Sequence, residues 1–136
     1  MSSSVELQKL IFDTLKATPA IMLIANGVYD RVPATPYGTK TAYISFGPAD
    51  MVDDGSDCIT SDLHTFQVDV WSKAVGQVEA KRLVDLIKAA LHEQSLELTE
   101  NALAEIRVDF RRVFTDSDGL TTHGVASVSA RIEVPE

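Results

Sequence analysis

The last third of this chain constrains its fold most, because residues there alternate between apolar and polar on both sides of an Asp-Gly turn. Ile106, Val108, Phe110 and Phe114 fall on one side of a period-two pattern, interrupted by Arg112, with Arg107, Asp109 and Arg111 on the other. Ala126, Val128, Ala130, Ile132 and Val134 then alternate with Ser127, Ser129, Arg131 and Glu133. Successive side chains of a strand point to opposite faces, so each run predicts a strand with one buried face. Between them, Asp116-Ser117-Asp118-Gly119 supplies the positive φ that a tight hairpin demands. A sheet with one apolar face needs a covering layer, and the rest of the sequence must provide it.

The cover reads as helix. From about Gln77 to His92, Ala80, Leu83, Val84, Ile87, Ala90 and Leu91 recur at helical spacing, with Glu79 beside Arg82 and Asp85 beside Lys88 as solvent-facing pairs. A first helix opens at Ser3, with Glu6 placed for a capping box, and carries Leu7, Leu10, Ile11 and Leu15 to a stop at Thr18-Pro19. A short apolar helical run from Ala20 to Ala25 follows and ends at an Asn26-Gly27 turn. Further strands are expected at Val28–Val32, Ala42–Phe46 and His64–Val70; in the last, His64, Phe66, Val68 and Val70 share the apolar face. The segment from Ala49 to about Asp62 reads as a long acidic loop, functional or mobile. The expectation is one α+β domain over 1–136 in two layers: an antiparallel-rich sheet of four to five strands with two main helices packed on one face.

Composition excludes several function classes. The 136 residues are 45% hydrophobic and 24% charged, an ordinary globular balance. The formal charge of −8 disfavours nucleic acid as a sequence-specific partner. The lone Cys58 rules out an intrachain disulfide and a thiol zinc site, and its acidic surroundings disfavour the thiolate. The N-terminus lacks the pattern of a signal peptide, and no apolar run is long enough to cross a bilayer, so a soluble protein of a reducing compartment is expected, without a membrane partner.

No catalytic or metal constellation emerges. An EF-hand loop begun at Asp50 meets Val52 and Ser61 at ligand positions, and one placed on Gly119 meets Phe114 and Val125. His64, His92 and His123 lack metal-pair spacing: His64 reads as a core residue, His92 as a helix-terminal one, and His123 as a brace to Asp116 or Asp118. Nucleophile elbows, phosphate loops and dinucleotide fingerprints are missing, so neither an enzyme nor a cofactor is expected. What remains is a basic cluster, Arg107, Arg111, Arg112 and Arg131, expected on the uncovered sheet face and suited to a subunit contact.

Three stretches then carry a resemblance. Tyr29-Asp30-Arg31-Val32-Pro33 follows the first helices; His64 to Ser72 leads into the helix that ends at Ala89-Ala90-Leu91; Val113 to Val125 spans the final hairpin. In this order and spacing the chain resembles the tail-completion or tail-terminator proteins of long, non-contractile-tailed phages and of gene transfer agents. The resemblance implies a structural virion protein of the tail or neck, assembled in the bacterial host cytoplasm and not an enzyme. It would form a ring, typically a hexamer, that caps the tail tube, ends its polymerisation and offers the head-side connector a docking surface. Its partners would be itself, the tail tube protein and the connector, with DNA passing through the ring. Closing a ring takes two unlike patches on each copy. By opposite charge these are expected to be Arg107, Arg111, Arg112 and Arg131 on one side and Asp50, Asp53, Asp54 and Asp57 on the other. A head-side neck protein, or a small ligand-binding regulatory module with a pocket between helices and sheet, are the alternatives.

Overall fold

Period-two segments form one sheet, and the helical segments cover one side of it. The computed structural model describes residues 2–135, in the order α1 (Ser3–Lys16), α2 (Pro19–Ile24), β1 (Ala25–Tyr29), β2 (Ala42–Asp53), β3 (Ser61–Ser72), α3 (Val78–Leu91), β4 (Ala102–Thr115) and β5 (Thr122–Glu133). The five strands lie in the order β1-β2-β3-β5-β4. β1 runs parallel to β2 and every other neighbour is antiparallel. The α+β expectation holds, with α1 and α3 as the main helices on one face and α2 as a short third. None of the described helices is long and apolar enough to cross a membrane.

The core lies between these layers. Ile44, Phe66, Val68, Val70, Val128 and Ile132 face the helices from the sheet, and Leu7, Ile11, Leu83 and Ile87 face back. Most of these side chains are wholly buried, and each contributes roughly 1.5–3 kcal/mol of transfer free energy. Gly124 of β5 lets α3 sit close: a Cβ there would stand 2.9 Å from Val84 Cγ1 and 3.2 Å from Val70 Cβ.

Several local expectations are corrected. Ser2, not Ser3, caps α1, accepting from the Val5 N–H. Glu6 leaves the cap and turns inward, accepting from the Thr99 hydroxyl at 2.5 Å and from the backbone N–H groups of Thr99, Glu100 and Asn101. These donors, the Thr99 hydroxyl first, hold its carboxyl down at about 2, against partial desolvation. Asn26-Gly27 is no turn but lies within β1, which ends at Tyr29 instead of reaching Val32. The Tyr29 ring occupies the space a Cβ on Gly27 would need, so this glycine answers a close approach.

The acidic loop is the largest correction. Most of it is strand: β2 runs on to Asp53 and β3 begins at Ser61, paired from Ala49↔Phe66 to Asp53↔Asp62. The true connection is residues 54–60, closed by the Ser56↔Ile59 bridge. Polar composition suggested loop, but a strand needs only a neighbour with open hydrogen-bonding groups, and β3 supplies one.

Candidate interaction surface

A bulge in β4 divides the expected arginine face. Val108 pairs with Val128 and Phe110 with Ser127, leaving Asp109 as the extra residue. The phase inverts there: Phe110 turns to the open face, 55% exposed, and Arg111 turns to the helix side. Arg111 consequently bonds Asp85 of α3, beside an open groove of about 430 Å³ between α3 and β4. The expectation that Phe110 shares the face of Ile106, and that Arg111 shares that of Arg107 and Arg131, is thereby overturned.

Charge pairing within the chain answers most of the cluster. Arg107 bonds Glu93 at 2.5 Å and approaches Glu105 at 3.6 Å. Arg131 bonds Asp54 at 2.6 Å and approaches Glu105 at 3.6 Å; the Asp54 hydrogen bond raises its guanidinium above its ordinary value. Arg112 instead lies over the Phe114 ring, 5.2 Å from its centroid. One expected pairing of arginine with the acidic segment, Arg131 with Asp54, is therefore made inside a single copy. Asp50, Asp53 and Asp57 stay exposed, Asp53 accepting from the Gly55 N–H at 2.8 Å. Glu79 faces Ser72 and Thr41 and Asp85 faces Arg111, in place of the solvent-facing helix pairs expected for them.

Across the open face runs a row of rings that sequence reasoning missed. Tyr37, Tyr43, Trp71, His123 and Phe114 follow one another, with centroids 4.9 Å apart for Tyr37–Tyr43, 6.4 Å for Tyr43–Trp71, 3.9 Å for Trp71–His123 and 4.9 Å for Phe114–His123. Strand pairing places them, since Tyr43↔Trp71, Trp71↔His123 and Phe114↔His123 are register partners. His123 bonds Asp69 at 2.8 Å, not Asp116 or Asp118. Asp118 instead holds its own turn, and its bonds from Thr121 and Leu120 keep its carboxyl below the ordinary range. The signal was available: His123 and Trp71 both sit at open-face positions of their alternating strands.

The other two histidines are structural. His64 is buried beside the Ser3 hydroxyl at 3.3 Å, and burial lowers its pKa. His92 Nδ1 accepts from the Val108 N–H at 2.9 Å, so it ties the end of α3 to the edge of β4, a role beyond the helix dipole. Among the described residues no cluster of metal-ligating side chains occurs, and Cys58 is exposed at the hairpin tip. Between helices and sheet, open grooves remain at the margins of the core, the one beside Arg111 and a smaller one of about 130 Å³ between α1 and the β2–β3 pair.

Comparison with known proteins follows the same outline. The family model for tail completion protein gp17 matches residues 9–133. Among solved structures, a chain in the virion of a native gene transfer agent (GTA) particle aligns with a TM-score of 0.86 and 24% identity, covering 97% of this chain and 98% of that one. That likeness extends to the fold. No curated protein sequence matches this chain.

Proposed function

This chain belongs to the tail completion protein gp17 family, and from that premise we propose that it forms a ring, a hexamer, that caps the finished tail tube. The ring ends tube polymerisation and offers the surface on which the head-side connector docks. Its partners are other copies of itself, the tube protein below and the connector above, and it resides in the tail or neck of the virion after assembly in the host cytoplasm. Its work is structural. The family match over residues 9–133 carries this reading.

The geometry supports it in two ways. The sheet presents different chemistry at its two margins, Asp50, Asp53 and Asp57 on the β2 hairpin and Arg111 and Arg112 on β4, as head-to-tail contacts require. Much of the charge is used structurally: Arg107, Arg111 and Arg131 hold carboxylates of their own copy, Glu6 ties α1 to residues 99–101, and Asp118 holds its turn.

Deletion of the coding sequence from a particle-producing strain tests the reading by electron microscopy. Tails of uncontrolled length, or tails of normal length that fail to join heads, are expected. Normal tails joined to filled heads would overturn it.

A further inference from the structure

Among the described residues, both margins of the sheet leave a stretch of strand without a neighbour. β1 covers β2 only from Ala42 to Ser45, so the outer edge of β2 is bare beyond the irregularity between Phe46 and Ala49. The Asp54 N–H bonds the Ser61 carbonyl. Antiparallel pairs alternate between bonded and non-bonded, so counting back from Asp54 directs the backbone groups of Asp53, Met51 and Ala49 away from β3. On the opposite margin, the edge of β4 is closed at its start, where the Glu93 N–H bonds the Ile106 carbonyl and Val108 bonds His92. Beyond the bulge it is bare. The Asp116 N–H bonds the Thr121 carbonyl, and the same count directs Thr115, Val113 and Arg111 outward.

We propose that these two edges pair between copies, Ala49–Asp53 of one copy against Arg111–Thr115 of the next, so that the sheets join across each subunit boundary. This rests on the ring reading and specifies its contact. The occupant is a second copy because the two edges match each other in four respects. Each offers three outward residues over five positions. β2 and β4 run in opposite directions within the sheet, so rotation about an axis near the strand direction brings them together antiparallel. Full overlap sets Met51 opposite Val113, and both side chains lie on the helix side, so facing stays continuous across the joint. Asp53 then faces Arg111, and Asp50 lies diagonal to Arg112, which has no carboxylate partner among the described residues.

The offset of the edges fits a closed annulus. Met51 is level with His64 of β3, and Val113, through Gly124, is level with Val70, six residues further along that strand. That offset is about 20 Å along the strands. The four strand spacings from one β4 through β5, β3 and β2 to the next span about 19 Å, which corresponds to a tilt of roughly 46°, at the upper limit of closed barrels. Strands in closed barrels tilt by ~35–45°. A ring of rotation-related copies needs no rise per subunit at that tilt, whereas untilted strands would climb into a helix.

Val52→Cys with Arg112→Cys, in a Cys58→Ser background, tests the pairing. The proposed register makes these a non-bonded pair with Cα atoms ~4.5 Å apart, within disulfide range. Inside one copy the two positions occupy opposite margins of the sheet, so any disulfide joins copies. Protein assembled alone and on tail tubes is oxidised and run without reductant, with mass photometry of the wild type alongside. A ladder of linked copies ending in a closed species, absent from either single-cysteine variant, is expected. Rings without that ladder would overturn the edge pairing and leave the ring reading standing, whereas no ring from the wild type on tubes would end both. Met51→Pro gives a second measurement, because it removes an outward N–H that β3 does not use. It should melt as the wild type does and lose the ring, and an intact ring overturns the proposal.

Discussion

Gly124→Ala tests how α3 is seated on the sheet. Its φ is not positive, so alanine meets no backbone strain there, and any effect comes from space. The new methyl would stand 2.9 Å from Val84 Cγ1 and 3.2 Å from Val70 Cβ. Val70 is wholly buried in the central strand β3 and cannot retreat, so Val84 and α3 must give way. Overpacking of one methyl in a close-packed core costs about 1–3 kcal/mol. At ~2.1 cal/mol/K of unfolding entropy per residue, 2 kcal/mol lowers the Tm of a chain of 136 residues by about 7 °C. Val84→Ala alone should also destabilise, by about 1–3 kcal/mol, through lost burial. Together the two should cost less than their sum, by roughly the overpacking term, since Val84→Ala vacates the space the methyl needs. Urea and thermal unfolding of the four proteins complete the cycle. Additive losses, or a Gly124→Ala variant as stable as the wild type, would refute this placement of α3.

Two further outcomes follow from charge. Glu6 has its folded-state pKa lowered to about 2 from 4.5, so its stabilising contribution is full above 4.5 and is lost as pH falls through about 2. Glu6→Gln should be less stable at neutral pH and converge on the wild type between those limits; parallel Tm curves over pH 2–6 would exclude Glu6 as the source. The formal charge of −8 per copy, multiplied around a ring, opposes assembly, so light scattering should find the protein monomeric or weakly associated at low salt and more associated as salt screens it. A ring equally stable at very low ionic strength would contradict that.

Periodicity revealed those elements whose environment repeats along the chain. β3, β5 and α3 each bury one face for their whole length, and their apolar spacing is enough to find them. β2 is different: its first half is core and its second half is exposed on both sides, so Asp50 to Asp53 carry no burial signal. Only the ladder with β3 makes them strand. In β4, Arg111-Arg112-Val113 already breaks the alternation that Ile106 and Val108 begin, and Val113 at an odd position signals the bulge that moves Arg111 across the sheet. The partners of His123 and Glu6 were invisible for a plainer reason. Asp69 lies 54 residues from His123, and Thr99 lies 93 from Glu6, separations that only the folded sheet closes.

The pairing of Arg131 with Asp54 changes what the basic cluster can do. Sequence charge alone suggests arginines waiting for another copy's carboxylates, yet Arg107, Arg111 and Arg131 each hold a carboxylate of their own. An exposed pair of this kind, screened by solvent, adds little to stability, so its effect is chiefly positional. Arg131 projects from β5 and draws the 54–60 connection back over the sheet, which fixes the hairpin end beside the bare edge of β2. Under the proposed edge pairing, association between copies depends less on long-range attraction than on two edges held ready at the right offset. A small acidic chain can in this way remain unassociated in dilute solution and still close into an ordered assembly when a surface gathers its copies, because edge pairing is directional where net charge is not.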